Sequence, residues 1–187
     1  SAGPSLHKRN SIQKIVDSDY PGTLIATDGA YIACLKRGLI PDYLLTLDPH
    51  PTRMVRWFGD PDFEENSKND DYFTRQDLDI EFRKNSIRQN EEHIELVNRY
   101  AHFSKAIVSS STPPNVMKRV KEAGFTIYGW NPLVDNPETK GSLTRQLYTI
   151  NPLPCMNTGG TVGTAAWICA SAYLNLPSVA LVGMDFG

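Results

Sequence analysis

The sequence has few cysteines, no long apolar run and almost no excess of charge. Its three cysteines, Cys34, Cys155 and Cys169, are odd in number and form no C-x-x-C pair, so neither a disulfide framework nor a zinc site is predicted. No window reaches the roughly 18 uninterrupted apolar residues that a membrane-spanning helix needs, and no signal peptide opens the chain. We therefore expect a reducing compartment, the cytoplasm, and no membrane span.

The charge balance excludes a further class of partner. The 19 basic and 21 acidic residues leave a net charge of −2, so the sequence has no excess of positive charge with which to bind nucleic acid. The length of 187 residues, 40% of them apolar, suits one globular domain with a sizeable core. The chain opens on a turn that no strand precedes and stops where a strand delivers a polar residue, so we expect a fragment.

The sequence does contain short β-rich apolar runs that alternate with helical periods, a pattern typical of βαβ units and a parallel sheet. We predict an α/β fold of the Rossmann-like kind, with an open, mostly parallel sheet, helices on both faces and a single domain over residues 1–187. The predicted strands are residues 23–26, 43–47, 106–109, 125–128 and 178–182. The predicted helices are residues 29–37, 86–103, 115–123 and 161–174, the first of them ended by Gly38.

One stretch interrupts this alternation. Between residues 60 and 81 the chain carries nine acidic residues and few apolar residues in register. Such a composition favours a solvated insertion or a lid, which we place at about residues 60–103 together with the helix that follows. The proline-rich residues 131–137 are predicted to form a second long loop.

A turn near the start of the chain is the first candidate for binding a phosphate. The glycine lets the backbone approach a ligand closely, the proline fixes φ, and the serine can bond a phosphate or cap the next helix. An ordinary strand-to-helix turn explains the same residues equally well. The turn is Gly3-Pro4-Ser5-Leu6.

A second turn, in residues 157–164, precedes a helix of small residues. Its two adjacent glycines, Gly159 and Gly160, lie where a helix N-terminus favours an anion or a sugar hydroxyl, although no lysine follows them as in a Walker A loop. Close packing of that helix on the sheet through Gly163 is the structural alternative. Cys169, on the same helix, is expected to be a buried packing residue.

Three aspartates, Asp28, Asp48 and Asp185, each follow a predicted strand. Ligands of open α/β sheets bind outside the carboxyl edge of the strands, so we expect these carboxylates to converge on one crevice. There they could hold a ribose, a divalent metal or an amine, although a lone aspartate after a strand more often caps a turn or a helix.

Other polar side chains are predicted at the same edge. His50, two residues after Asp48, is a candidate general acid or base, or an idle loop histidine. Arg53 and Arg56 could neutralise a phosphate. Residues 109–114 could supply hydroxyls to the crevice or form a helix-entry turn.

Four segments of the sequence carry a resemblance to a known family. They are Gly3-Pro4-Ser5-Leu6; Ile25-Ala26-Thr27-Asp28-Gly29-Ala30; Gly38-Leu39-Ile40-Pro41-Asp42-Tyr43 running into Leu47-Asp48-Pro49; and Gly159-Gly160-Thr161-Val162 through Ala180-Leu181-Val182-Gly183-Met184-Asp185. In this order they resemble the domain shared by motility accessory factors and archaeal 6-hydroxymethylpterin diphosphokinases. The resemblance spans nearly the whole chain, except its acidic middle.

The chain is more distantly similar to bacterial sialyltransferases that use CMP-sialic acid. Ala2 and Asp48 stand where those enzymes have asparagine, and their catalytic histidine would fall beyond Gly187, so this resemblance supplies no catalytic base. It implies a nucleotide pocket that includes Gly3, Pro4, Ser5, Asp48, Pro49, Thr158, Gly159 and Gly160.

These resemblances imply a nucleotide-binding transferase, most closely a glycosyltransferase-like domain that uses a nucleotide-activated sugar of the CMP-nonulosonate type. An ATP-dependent pterin diphosphokinase-like enzyme is the alternative, with Mg²⁺ as its cofactor. That branch is expected to carry Asp-Leu-Asp-Gly where this chain has Leu47-Asp48-Pro49-His50, and one carboxylate is a poor magnesium cage. A noncatalytic nucleotide-binding or interaction module, with the acidic stretch as a docking arm, is the third possibility.

The sequence thus predicts one nucleotide or nucleotide-sugar site and no metal site. The candidates for catalysis are Asp48, His50 and Asp185. The predicted binding residues are Gly3, Pro4, Ser5, Leu6, Asp28, Gly29, Asp48, Pro49, Thr158, Gly159, Gly160, Thr161 and Asp185.

Overall fold

The computed structural model describes residues 1–68 and 80–185, the side chains of Ile80 and Phe82 excepted. Within them five strands form one sheet in the order β1-β2-β3-β4-β5, and each neighbouring pair is parallel. The predicted α/β fold with a parallel sheet is therefore confirmed. The strands are β1 (Ile25–Thr27), β2 (Tyr43–Thr46), β3 (Lys105–Ser109), β4 (Thr126–Pro132) and β5 (Cys155–Met156).

Nine α-helices lie within the described residues. A 3-10 turn, Ala101–Phe103, follows the longest helix, and a π-helical turn, Cys169–Tyr173, continues the last one. No helix among residues 1–68 and 80–185 is both long and apolar enough to cross a membrane. The helices are α1 (Ser5–Lys8), α2 (Ser11–Asp17), α3 (Asp28–Leu35), α4 (Pro51–Trp57), α5 (Phe63–Ser67), α6 (Ile80–Tyr100), α7 (Pro114–Glu122), α8 (Leu143–Ile150) and α9 (Val162–Ile168).

Successive side chains of a strand point to opposite faces of the sheet, and helices cover both faces here. Leu44 and Ala106 belong to a core that includes buried side chains of α3, α4, α6 and α7. Leu45 and Ile107, one residue further along the same strands, pack with α9 in a second core. The three-layer arrangement expected of a Rossmann-like fold follows from this alternation.

The path of the chain brings its two ends together beside β1. From β1 to β5 the strands follow one another across the sheet, but α9, which comes after β5, packs back against β1 and β2. The residues after α9 then lie against the start of the chain. The amino group of Ser1 donates to the Val182 carbonyl (2.8 Å), and the Gly3 N–H donates to the Gly183 carbonyl (2.8 Å).

The strand predicted at residues 178–182 is wrong. This run is apolar and β-branched, but a strand also needs a neighbour within about 5 Å to pair with, and the run pairs with none of the described strands. The fifth strand is instead β5, which has only two residues. Hydrophobic periodicity cannot indicate so short a strand, because two residues contain no period.

The acidic stretch is anchored to the domain at its first residue. Asp60 is only 3% exposed, and its carboxylate accepts hydrogen bonds from the Asp62 N–H and the Asn66 amide, both at 2.9 Å. Helix α6 contacts α3 and α4, and its Val97 is fully buried. Asp60 and α6 thus pack into the domain, whereas Asp62, Glu64 and Glu65 are exposed, and residues 69–79 lie outside the described residues.

The helices predicted at 29–37, 115–123 and 161–174 are confirmed as α3, α7 and α9 with its π-helical continuation. Gly38 ends the first of them with φ at +71°, as its position predicts. The loop predicted at 131–137 begins too early, because β4 continues to Pro132. There the Asn131 N–H donates to the Pro154 carbonyl (2.8 Å), which aligns β4 with β5.

Candidate functional site

A buried carboxyl group lies at the carboxyl ends of β1 and β2. Asp28 follows β1 directly and is the first residue of α3, while Thr46 is the last residue of β2. Asp28 is 2% exposed, and neither of its carboxylate oxygens has a hydrogen-bond partner among the described residues. The Thr46 hydroxyl is also buried and unpartnered there. Buried polar groups are nearly always paired, so we take these two residues as the starting point of the candidate site.

The surroundings of Asp28 change its ionisation. Burial raises the pKa of Asp28 to about 7. The Thr46 hydroxyl lies close enough to lower this pKa by a smaller amount, although the two groups do not meet hydrogen-bond geometry, the negative charge of Asp48 raises it, and the backbone N–H of Asp28 lowers it. Near neutral pH this carboxyl therefore exists in both protonation states. A group of this kind can accept a proton in one step of a reaction and return it in another.

The Gly3 turn lies against Asp185, as the sequence predicts for a converging site. The Ser5 N–H donates to the Asp185 carboxylate (2.6 Å). The Ser5 hydroxyl first, and then this N–H, hold the pKa of Asp185 below its ordinary value. A Cβ atom at Gly3 would lie 2.6 Å from the Gly183 carbonyl oxygen and 2.7 Å from the Asp185 carboxylate, so only glycine fits here. The Leu6 side chain, by contrast, is buried in the core.

This contact changes what the first turn can bind. A carboxylate already accepts the Ser5 N–H at the start of α1, and α1 has only four residues. A phosphate there would have to displace Asp185 or overcome its negative charge. Ser5 therefore lies beside Asp185, but its backbone N–H already donates to the Asp185 carboxylate.

The backbone N–H groups of the second turn also donate to side chains within the turn. Thr161 caps α9: its hydroxyl accepts the Thr164 N–H (3.1 Å), and the Thr164 hydroxyl in turn accepts the Thr161 N–H (3.1 Å). The Gly159 N–H donates to the Asn157 side chain (2.9 Å). Gly160 has φ at +90°, and the space where its side chain would stand is open. A ligand therefore has room beside Gly160.

The two turns and the start of α3 are neighbours. A Cβ atom at Gly163, in the first turn of α9, would lie 3.4 Å from Ser1 Oγ and 3.4 Å from Met184 Sδ. A Cβ atom at Gly29, in the first turn of α3, would lie 3.6 Å from Ala2 Cβ. The beginnings of α3 and α9 therefore both flank the segment that leads into the Gly3 turn.

Asp48 and His50 shape the start of α4. The His50 N–H donates to the carboxylate of Asp48 (2.8 Å), across the intervening Pro49. The His50 ring nitrogen Nδ1 accepts the Arg53 N–H at 3.4 Å. The Asp48 charge still acts on Asp28. His50 is exposed and serves as the N-cap of α4 in this arrangement.

Two further groups of predicted residues lie near this edge. The hydroxyl groups of Ser109 and Ser111 are hydrogen bonded to each other (2.7 Å). The Ser111 hydroxyl also donates to the carbonyl of Leu47 (3.2 Å), the residue before Asp48. Arg56 lies over the ring of Phe63, 5.6 Å from its centre, and so stacks on an aromatic side chain. Cys169 is buried, as predicted.

Sequence reasoning missed Thr46 and Trp57. Thr46 lies within the predicted apolar strand 43–47. Its hydroxyl group near the end of that apolar run is the signal that could have marked it as a site residue. The Trp57 ring lies 3.7 Å from the Cβ position of Gly29, a contact between α4 and α3 that no local pattern indicates.

The side chains do not form an evident metal cage. Among residues 1–68 and 80–185 no group of three or more His, Cys, Asp or Glu side chains is arranged to hold a metal ion. Magnesium prefers several oxygen ligands in octahedral geometry, and the described residues bring no such set of carboxylates together. The residues present therefore do not fit the magnesium site of a diphosphokinase.

Comparison with known proteins gives no family for the chain. No protein-family model matches it, and no curated protein matches it.

Proposed function

We propose that this chain is a nucleotide-binding transferase domain of the glycosyltransferase-like kind, whose donor is a nucleotide-activated sugar of the CMP-nonulosonate type. The observation that carries the proposal is the Asp28 carboxyl, which is buried and unpartnered among the described residues at the carboxyl edge of the sheet. That edge is where open α/β sheets bind their ligands.

In this proposal Asp28 is the proton acceptor. Its ionised form takes the proton from an acceptor hydroxyl as the oxygen attacks the anomeric carbon of the sugar. The new carbon–oxygen bond forms while the bond from the sugar to the nucleotide phosphate breaks, and the nucleotide leaves with the electron pair. A pKa of about 7 suits this step, because the carboxyl is basic enough to hold the proton and still partly ionised at neutral pH.

In this proposal the leaving phosphate lies beside Gly160 at the start of α9 and is held by the electrostatics of the helix end, because the N–H groups of Gly159, Gly160 and Thr161 already donate within the turn. Gly159 and Gly160 both have positive φ, and the space beside Gly160 is open. The N-terminal end of α9 and its π-helical continuation offers a favourable electrostatic environment for an anion. Asp185 and Asp48 flank the site and orient ribose or acceptor hydroxyls by accepting hydrogen bonds.

Calorimetric titration tests the donor class. CMP, CDP and ATP are each titrated into the protein, with and without Mg²⁺. We expect CMP and CDP to bind without magnesium, and Asp28→Asn to leave CMP affinity within about threefold, because Asp28 acts on the acceptor. The same variant should lower the rate of transfer from CMP-sialic acid by about 100-fold or more. Glu91→Gln, an equal change of charge at an exposed position of α6, should alter neither.

Two outcomes contradict the proposal. Magnesium-dependent binding of ATP with no binding of CMP would favour the diphosphokinase-like alternative. Binding of CMP without any turnover of CMP-sialic acid, whichever acceptor is supplied, would favour a noncatalytic nucleotide-binding module.

A further inference from the structure

A cavity of about 330 Å³ lies against the face of the sheet that α9 also covers. Tyr43 and Lys105, the first residues of β2 and β3, line it, whereas the candidate site lies where those strands end. Its described lining has no residue in common with the predicted binding residues. Its volume lies within the range of pockets that hold small ligands, so the cavity is a second, separate place where this chain can bind one.

The sheet forms one wall of the cavity. The register places Tyr43 of β2 beside Lys105 of β3. Side chains of a strand alternate between the two faces of a sheet, so Tyr128 and Trp130, two residues apart on β4, lie on the same face. All four residues line the cavity. This wall is therefore built from side chains on paired strands, at spacings that the sheet fixes.

The π-helical turn Cys169–Tyr173 contributes to the other wall of the cavity. Turns of this kind are rare and are frequent at functional sites. The Tyr173 hydroxyl donates to the Cys155 carbonyl on β5, which fastens the turn to the sheet. Cys169 is only 3% exposed. The cavity thus lies between two anchored elements.

Aromatic rings line the cavity from its opening to its floor. Tyr128 and Tyr173 are each about half exposed, at 53% and 48%, so they lie at the opening. Trp130 is 4% exposed and belongs to the floor. Such rings pack on planar ligands in offset or edge-on arrangements. They also attract cations above their faces, so the rings alone would accept either kind of ligand.

Lys105 distinguishes between these two classes of ligand. Its Nζ atom already lies 5.3 Å from the centre of the Tyr43 ring. The described lining contains no aspartate or glutamate that would balance this positive charge. A second cation would be repelled by the lysine, whereas a carboxylate would be attracted and could pair with it. The charge of the cavity therefore favours an anionic ring system.

The Trp130 indole N–H adds a requirement for length. It is buried and has no acceptor among the described residues, which costs free energy until an acceptor is supplied. Neighbouring atoms cover the indole nitrogen, so a ligand acceptor reaches it through a small turn of the ring. Trp130 pairs in register with Ser109, which lies about 13 Å along β3 from Lys105. A ligand that meets both groups must be elongated, with its charge at one end and an acceptor at the other.

We propose that this cavity is a second binding site, for a planar aromatic carboxylate of two fused rings with an oxygen at the far end. The rings stack against Tyr128 and Tyr173, the carboxylate pairs with Lys105, and the far oxygen accepts the Trp130 N–H. This site is separate from the candidate nucleotide site and does not depend on the proposed function.

Calorimetric titration of 6-hydroxy-2-naphthoate tests the proposal, because this compound has the required shape, charge and far oxygen. We expect it to bind about fivefold more tightly than its neutral amide, which cannot form the charged pair with Lys105. It should also bind about threefold more tightly than naphthoate without the hydroxyl group, which offers Trp130 no acceptor. A saturating concentration of CMP should leave its affinity within about twofold, because the cavity shares no described residue with the candidate site.

Two pairs of variants assign the contacts. Lys105→Gln should weaken binding of the hydroxynaphthoate by about fivefold and leave binding of the amide unchanged. Lys121→Gln, an equal change of charge at an exposed position of α7, should alter neither. Trp130→Phe keeps a ring but removes the N–H, so it should abolish the preference for the hydroxynaphthoate over naphthoate. Trp167→Phe, which lies outside the lining of this cavity, should keep that preference.

A readout on the unaltered protein covers the case in which Trp130→Phe fails to fold. The indole proton resonance of Trp130 should move when the hydroxynaphthoate is added, and by more than the indole resonances of Trp57 and Trp167. Naphthoate without the hydroxyl group should move it less, because only the hydroxynaphthoate supplies an acceptor.

Several results would overturn the proposal. Equal binding of the hydroxynaphthoate and its amide, or tighter binding of a naphthyltrimethylammonium cation, would show that Lys105 does not select the charge. Displacement of the hydroxynaphthoate by CMP would place it in the candidate site instead. No heat and no movement of the Trp130 resonance up to about 1 mM ligand would mean that the cavity binds no such compound. Failure of CMP itself to bind would contradict the proposed function and leave this proposal standing.

Discussion

Asp28 costs the folded protein free energy at neutral pH. Its folded-state pKa of about 7 lies above the ordinary value of 3.8, so between these pH values the folded state binds more protons than the unfolded state. The free energy of unfolding must then fall as the pH rises through this window, by about 1.4 kcal/mol per pH unit at most. A buried carboxyl group with so strongly raised a pKa is a candidate for a functional role.

The pH dependence of stability tests this reasoning. Asp28→Asn removes the titration but keeps the shape of the side chain, so the variant should gain up to about 4 kcal/mol relative to the unaltered protein as the pH rises from 4 to 8. Urea unfolding at a series of pH values measures the difference. Glu91→Gln, at an exposed position of α6, should reproduce the pH profile of the unaltered protein. Parallel profiles for all three proteins would mean that Asp28 ionises normally.

Gly3 and Gly29 make a matched pair at the candidate site. An alanine at Gly3 would meet the Gly183 carbonyl at 2.6 Å, whereas an alanine at Gly29 would make ordinary contacts of 3.6 Å and longer. We expect Gly3→Ala to lower the free energy of unfolding by about 1–3 kcal/mol. Gly29→Ala, inside α3, should be neutral or stabilising by up to about 1 kcal/mol. Urea denaturation of both variants checks this, and similar losses in the two would disprove the close approach at Gly3.

Among the elements, α9 depends on a reciprocal cap. Thr161 and Thr164 exchange two hydrogen bonds at its first turn. Thr161→Ala should therefore cost about 1 kcal/mol of stability. Ser171→Ala makes the same kind of truncation inside the helical continuation, where the hydroxyl donates to the carbonyls of Trp167 (3.0 Å) and Ile168 (3.3 Å) of its own helix and caps no free N–H, and should cost little or nothing. Guanidinium unfolding curves distinguish the two, and a smaller effect at Thr161 than at Ser171 would contradict the capping role.

The elements that could be predicted are those whose signals are local. α3 has helical apolar spacing and a terminal glycine, and α7 and α9 have similar patterns. α8 begins at a serine cap: Ser142 accepts the Arg145 N–H (3.1 Å) while it donates to Asp135 (2.6 Å), a signal that was available in the sequence. The two residues of β5 offered none, because their pairing with β4 is a tertiary contact.

At the scale of the molecule, the candidate site too has one part that the sequence predicts and another part that depends on tertiary contacts. Asp28, Asp48 and Asp185 each follow an apolar run of the sequence. The topology of a parallel sheet alone predicts that they lie at its carboxyl edge. Whether a carboxylate stays open to a ligand depends on tertiary contacts. Asp185 accepts the Ser5 N–H, and Asp28 is buried without a partner among the described residues. Neither outcome can be derived from the spacing of residues.

The place of α6 in the whole molecule decides whether the helix that follows the acidic stretch is an arm or a structural layer. Val97, on α6, is fully buried in the core that α3, α4 and α7 share, which argues that the helix is a structural layer. Val97→Ala should then cost about 1–3 kcal/mol and leave the unfolding transition cooperative.

Val134→Ala removes the same two methyl groups from a side chain that is 57% exposed, so it should change stability by no more than about 0.5 kcal/mol. Urea unfolding followed by both fluorescence and circular dichroism measures the two variants. If α6 were an arm that folds apart from the sheet, Val97→Ala would shift only a separate, earlier transition in the dichroism. A single shifted transition, seen equally by both probes, is the expected result, because a helix that shares its core with the sheet cannot unfold without exposing that core.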